Sequence, residues 1–507
     1  MNAIKKYCDP IKTEVSMGKK LTNKRAVAGA FADAMNLLYE GENKYHQQVA
    51  YLAYRMAEEL GFAEHERETV IMAALLHDCG MVILPENKEY PFRELAAAGL
   101  NLVGDINILQ FVRRIFLAGQ TEYKGEPAYE SLSMEARYAA VIDLARRVPK
   151  MLKSNDAALN QVMDICDNIS DLAGEELQVW AVECFLRVAK TDYYWMDILH
   201  QPEVVLSFLP AGNNMTDDEL IELSFFMSRV IDFRSRYTAA HSVGVAVSAV
   251  RLAEILGMSE DECKMMLIAG YLHDVGKLKV PKAILEKGDK LTDAEFNLVK
   301  EYAYYTHLLL KEIPGFEQIG RWASLHHEKM NGFGYPFGLK ADDIPMGARI
   351  LAVADIFSAV TEVRAYRPSM EKEGVIRTLK ESLDKGALPK GLVELMMQNY
   401  DDIFVKRDEE VAKELSRYLA SSVENDEEDE AEPEAAAEKT EASFEEEASE
   451  MPAYESDDES RGDSEDDVIE EEDVTKAEEA EAAMKNAPPV FDKDNDYAKA
   501  FMDEVNN

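Results

Sequence analysis

The sequence predicts an all-α protein of two tandem helical units built on one plan, followed by an acidic segment that stays disordered. Three observations carry this. Apolar residues recur at three- and four-residue spacing through most of the first 420 residues. One pattern of histidine, aspartate and glycine occurs twice. From Ala420 onward there are 34 acidic against 6 basic residues, a balance of −28 out of −42 for the whole chain.

The first unit is placed at residues 1–210. Gln48–Leu60 and Glu68–Leu76 have helical periodicity, with Gly61 where a helix C-terminal cap belongs. The second of these runs into His77-Asp78-Cys79-Gly80. The stretch Leu209-Pro210-Ala211-Gly212-Asn213-Asn214 reads as a joint. The second unit, residues 211–420, repeats the order. Glu219–Ile231, Val243–Leu256, Asp261–Leu272 and Ala348–Val360 are helical by period, and Gly257 caps the second of them.

The two units align residue by residue. His46, Gly61 and His77-Asp78-Cys79-Gly80 correspond to His241, Gly257 and His273-Asp274-Val275-Gly276. Glycine to histidine is 16 residues in both, and first to second histidine is 31 and 32. Met134–Asp143 corresponds to Met346–Asp355. The chemistry differs. The first unit has Met81 in place of Lys277 and lacks a His-His pair and a counterpart of His307. It reads as a retained fold with a lost site.

Residues 421–507 hold 14 Glu or Asp in their first thirty. Such a segment buries too little apolar surface to offset the entropy of ordering. Aromatics return only at the end, with Phe491, Tyr497, Phe501 and Met502 after Pro488-Pro489. Those residues could dock a protein partner in the manner of a helix laid in a groove; a solubility role is the plainer reading.

Composition narrows the setting. No run of about 18 apolar residues suggests a membrane span. The N-terminus lacks a signal-peptide pattern. Five scattered cysteines without a C-x-x-C suit free thiols in a reducing cytosol. The acidic balance argues against nucleic-acid binding, which needs a basic face. Homo-oligomers are compatible with this reading.

Five of the nine histidines fall between residues 241 and 327, together with Asp274 and, further on, Asp355. A lone His-Asp pair carries little weight, but this ensemble does. Neutral imidazole and carboxylate are ligands for divalent first-row metals. His273 and Asp274 leave a helix end together, so Asp274 can bridge two metals. His241, His307, His326, His327 and Asp355 can complete two coordination spheres. Two metals lower the pKa of a shared water and clamp a phosphodiester. Lys277 can reach the same place to neutralise a phosphoryl oxygen or protonate the leaving group. Asn331-Gly332-Phe333-Gly334-Tyr335-Pro336 is a turn-rich loop that presents Tyr335 to a phosphate or a base. Arg364 and Arg367, flanking Tyr366, could bind phosphate.

His273-Asp-x-Gly-Lys277, His326-His327-Glu328, Gly334-Tyr335-Pro336 and Ala354-Asp355 resemble the HD-GYP phosphodiesterases, a branch of the HD superfamily. The resemblance runs from about Thr216 to Asp402, and the first unit resembles only the bare HD fold. It implies an all-helical fold and cyclic di-GMP hydrolysis in a bacterial, cytoplasmic signalling protein. The expected products are the linear dinucleotide and then GMP. It implies a di-metal centre, iron or manganese, held by His241, His273, Asp274, His307, His326, His327 and Asp355. Lys277, Tyr335, Arg364 and Arg367 would hold the substrate phosphates. Three positions depart from the family. Tyr237 replaces a glutamate found in members that bind a third metal, so two metals are expected. Ser235 and Ser358 replace aspartates common in the family, which bears on turnover and substrate identity. The alternatives are another nucleotide phosphohydrolase and a low-turnover module that senses a nucleotide or docks a partner.

Overall fold

The computed structural model describes residues 22–423, except 40–43, 87, 121–127, 154–155, 211, 213, 236–237 and 363–368. The acidic tail, Tyr237, Arg364 and Arg367 lie outside the described residues. Within them the protein is helical, with no strand beyond two isolated bridges, Asn23 with Asn214 and Ala173 with Leu177.

The first unit comprises α1 (Lys24–Asn36), α2 (Tyr45–Glu59), α3 (Glu64–Leu75), α4 (Phe92–Val103), α5 (Gln110–Gly119), α6 (Met134–Ala145), α7 (Val148–Met151), α8 (Val162–Asp171), α9 (Val179–Val188) and α10 (Asp192–His200). The second comprises α11 (Asp217–Asp232), α12 (His241–Leu256), α13 (Glu260–Leu272), α14 (Lys282–Leu285), α15 (Asp293–Lys311), α16 (Glu317–Ser324), α17 (Met346–Thr361), α18 (Lys372–Asp384), α19 (Lys390–Gln398) and α20 (Tyr400–Val423). The repeated motifs fall on matching elements: α2 with α12, α3 with α13, α6 with α17. The 3-10 turn Cys79–Val82 after α3 matches Val275–Lys279 after α13.

Several helices begin before their apolar period does, because their starts are set by capping. Thr216 with Glu219, Ser259 with Glu262 and Thr292 with Glu295 form reciprocal capping boxes at the heads of α11, α13 and α15. Each cap stabilises its helix by about 1 kcal/mol. α12 has no such cap; its second residue, Ser242, instead gives its backbone N–H and hydroxyl to the buried carboxylate of Asp232, at 2.7 and 2.8 Å. This fixes the head of α12, where His241 is the first residue. Burial pushes the Asp232 carboxyl up to about 7, against the downward pull of His241 and Ser242.

One apolar core runs through both units, from Val27 in α1 to Ile403 in α20. The first helix of each unit crosses over: α1 contacts α15 and the Val275–Lys279 turn, while α11 contacts α4 and the Cys79–Val82 turn. Arg229 on α11 is almost wholly buried between the units. It pairs with Glu414 of α20 at 2.6 Å and donates to the Leu102 carbonyl of α4 at 3.0 Å. A buried charge of this kind is tolerated only when paired and hydrogen-bonded. Among the described residues no helix is long and apolar enough to cross a membrane.

Candidate metal centre

Most of the candidate ligands lie at helix ends. α13 stops at Leu272, and His273 and Asp274 follow in the turn. That turn lies directly on α15. A Cβ on Gly276 would sit 2.0 Å from the Tyr302 carbonyl oxygen, so only glycine allows the approach. Thr306 pins the turn, its hydroxyl accepting from the Gly276 N–H at 3.1 Å and donating to the His273 carbonyl at 3.2 Å.

Asp274 lies at the centre. Its carboxylate is 3.2 Å from His273 Nε2, 3.8 Å from His241 Nε2, 3.9 Å from His326 Nε2 and 2.5 Å from Lys277 Nζ. Asp355, on α17, is 3.2 Å from His241 Nε2. Three groups of ligand atoms lie within 4.8 Å of one another: His241, His273 and Asp355; His273, Asp274 and His326; and His326, His327 and Asp355. They share His273, His326 and Asp355, so they are overlapping faces of one box.

The donor chemistry suits cations. His273 and His326 give Nδ1–H to the carbonyls of Gly270 and Ala323, at 2.7 and 2.6 Å, which leaves Nε2 with a lone pair facing the box. His273 Nε2 and Asp274 Oδ1 are buried without a hydrogen-bond partner. The 3.2 Å His273–Asp274 contact is close but does not have hydrogen-bond geometry. Burial pushes the His326 and His327 rings down, His327 to about 4, favouring the neutral ligand form. Burial pushes the Asp274 and Asp355 carboxyls up, but the surrounding histidines, and Lys277 at Asp274, outweigh this and hold both below the usual range.

Around this set stand supporting residues, of which only Glu328 belongs to a motif. Glu362 takes His241 Nδ1 at 3.0 Å and Arg407 Nη2 at 2.8 Å. The Tyr302 hydroxyl meets His326 Nε2 at 3.1 Å and also hydrogen-bonds His327. Burial raises the Tyr302 hydroxyl, as do the Asp274, Tyr335 and Asp355 charges. Glu328 receives the N–H groups of Phe337, Gly338 and Leu339 at 2.7, 3.1 and 2.8 Å, tying down the loop after Tyr335. The one available signal was the position of Glu328 beside the His-His pair; Glu362 and Tyr302 belong to no motif.

The remaining expected residues are distributed unevenly. Tyr335 lies with its ring 4.7 Å from that of His327. Lys277 Nζ lies 5.0 Å from the Tyr302 ring centre. His307 belongs to none of the three groups; it is buried on α15 against the rings of Phe337 and Tyr304, and burial lowers it to about 4. Ser235 and Ser358 are both buried, and the Ser358 hydroxyl lacks a hydrogen-bond partner.

In the first unit His46, His77 and Asp78 also bring ligand atoms within 4.8 Å. Here protein groups take the carboxylate positions, while His77 Nε2 is buried without a hydrogen-bond partner. His46 Nε2 meets Asp78 Oδ1 at 2.7 Å, and the Tyr39 hydroxyl donates to Asp78 Oδ2. Asp143, the counterpart of Asp355, is paired with Arg146 at 2.9 Å. The buried Arg146 charge adds to burial in lowering His77 and disfavours a second cation nearby.

Comparisons with known proteins find an HD domain in each unit. Residues 226–385 match a family model described as an HD domain, and residues 46–169 match another of the same description. Over 395 residues the chain is 26% identical to the 3'3'-cGAMP-specific phosphodiesterase 1 of Vibrio cholerae serotype O1, covering 74% of this chain and 92% of that protein. It is 37% identical over 181 residues to the 3'3'-cGAMP-specific phosphodiesterase 3 of the same organism, covering 35% and 39%. It is 35% identical over 173 residues to the cyclic di-GMP phosphodiesterase response regulator RpfG of Xanthomonas campestris pv. campestris, covering 34% and 46%. The chain thus spans less than half the length of the last two. A crystal structure of a cyclic GMP-AMP-specific phosphodiesterase of V. cholerae shares the fold, with a TM-score of 0.52 at 20% identity over 75% of this chain and 98% of that one.

Proposed function

We propose that the chain, which carries two HD domains, hydrolyses a cyclic dinucleotide at a two-metal centre in the second, read as being of the HD-GYP type. The observation that carries the reading is the set of overlapping ligand groups around Asp274 and Asp355. We infer iron or manganese held by His241, His273, Asp274, His326, His327 and Asp355, with His307 as a seventh ligand. Such metals, when bound, supply an activated water at neutral pH and neutralise phosphoryl charge.

The protein's own groups do the rest. Glu362 and Tyr302 orient the His241, His326 and His327 rings. Lys277, beside Asp274, offers an ammonium to a phosphoryl oxygen or a proton to the departing ribose oxygen. Tyr335 stands over His327, where a substrate phosphate or base would lie. Arg364 and Arg367 are proposed as further phosphate contacts. The first domain is inferred to be metal-free.

Two substrates compete. The motifs favour cyclic di-GMP. The relative that aligns across both domains is named for 3'3'-cGAMP, which favours that molecule as a second reading. Ser235 and Ser358, buried where aspartates are common in the family, bear on the choice. The test is turnover of a cyclic-dinucleotide panel by anaerobically prepared protein of assayed metal content. Every dinucleotide remaining intact with fully metallated protein would leave the low-turnover sensing module in place of the enzyme.

A further inference from the structure

We propose that Glu86 of the first domain and Arg234 form a positioning relay that holds the Lys277 turn of the second, so that the metal-free domain sets the geometry of the neighbouring site. This rests on the phosphodiesterase reading above. Arg234 follows α11 and is buried. Its Nη1 donates to the carbonyls of Lys277 and Leu278, at 3.1 and 2.7 Å. Its Nη2 donates to Glu86 Oε1 at 2.9 Å. One planar guanidinium therefore joins the first domain to the backbone of Lys277.

The turn has two supports. On one side Gly276 and Thr306 lock it to α15. On the other it has Arg234, at the two carbonyls near its C-terminal end. Lys277 leaves the backbone between them, and its ammonium meets Asp274 at 2.5 Å. Arginine suits this role because its fork holds two acceptors in a fixed plane while a third fixes its rotation, which a lysine cannot do. Glu86 is that third group. It lies four residues beyond the matching Cys79–Val82 turn. Its side chain is 41% exposed, so as an ion pair it adds little stability; its effect is on the orientation of the fork. Neither Glu86 nor Arg234 touches a reacting group, and both act through Lys277.

The experiment uses the full chain with Glu86→Ala, Glu86→Gln and Lys277→Ala, singly and combined. Glu86→Ala should lower kcat about tenfold, with KM within about twofold and metal content unchanged. Glu86→Gln keeps an acceptor oxygen and should recover kcat to within about twofold of wild type. In the Lys277→Ala background Glu86→Ala should add nothing, which a general loss of stability would not produce. A substrate-free readout accompanies these: brief acetylation followed by mass spectrometry should show Lys277 labelled about threefold faster in Glu86→Ala, with Lys279 unchanged. Equal Lys277 labelling in Glu86→Ala and wild type, or a full Glu86→Ala effect on kcat without Lys277, overturns the relay. Wild-type protein that hydrolyses no dinucleotide overturns the enzymatic reading, and the labelling comparison then judges the relay alone.

Discussion

The carboxylate of Glu362 lies 3.0 Å from Nδ1 of His241. It is held there by Arg407 from α20, so a residue far along the chain decides which nitrogen of His241 faces the site. Glu362→Gln should lower metal affinity about 10–100-fold, as loss of a ligand-orienting partner does elsewhere. Metal retained across a chelator series reports this directly; wild-type retention would show that Glu362 does not orient His241.

Metal content itself tests the ligand set. Protein prepared without oxygen should carry about two transition-metal ions, and His273→Ala or Asp274→Ala should halve or empty the site. Well under one equivalent in the wild type would count heavily against the centre. A His307→Ala protein with full metal would remove His307 from the ligands.

In the proposed reaction Lys277 serves the phosphate and not the metals. Lys277→Ala should lower kcat by about 10²-fold while metal content stays near wild type. Parallel loss of both would make Lys277 a structural support for Asp274.

Acid should destabilise the first domain. Burial lowers His77 to about 4 from an ordinary 6.5, and Asp78 is held below the usual carboxylate range despite burial, by His46 and His77. A folded-state pKa below the unfolded one means that the unfolded chain binds more protons, so stability rises with pH. The His77 contribution is complete above about pH 6.5 and is lost as the pH falls towards 4; it amounts to on the order of 3 kcal/mol. Asp78 adds a further loss below that. Thermal melts from pH 7 to 4.5 should fall less steeply for His77→Gln; an equal slope would assign the acid sensitivity elsewhere.

Ending the chain after Val423 should leave hydrolysis within about twofold of full length, because every proposed ligand precedes it. Pull-downs comparing the full chain with one ending at Ala487 would test partner docking by the last residues. Identical partners would leave only the solubility role.

The helices and their duplication were legible because period and spacing are local properties. The cluster of candidate ligands was legible because most of its residues sit at helix ends in short motifs; Asp355, inside α17, is the exception. What supports the cluster was not. Glu362 and Tyr302 reach candidate ligands across 121 and 24 residues of sequence, and Asp232 reaches Ser242, next to His241, across 10; a carboxylate or phenol has no marker that predicts such a partner. Arg407 and Glu414 of α20 are buried because each meets an opposite charge, Glu362 just past α17 and Arg229 on α11. In the first domain, Tyr39 hydrogen-bonds Asp78 and Arg146 pairs with Asp143, contacts that no spacing in the sequence announces.

The exchange of α1 and α11 between the two halves bears on how such a chain can evolve. A duplicated segment that loses its chemistry is ordinarily free to drift or be deleted. Here each half supplies a wall of the other, so deleting the idle half would strip α15 and the Val275–Lys279 turn of the helix that covers them. Selection on either half therefore preserves both, each being kept for the wall it lends the other.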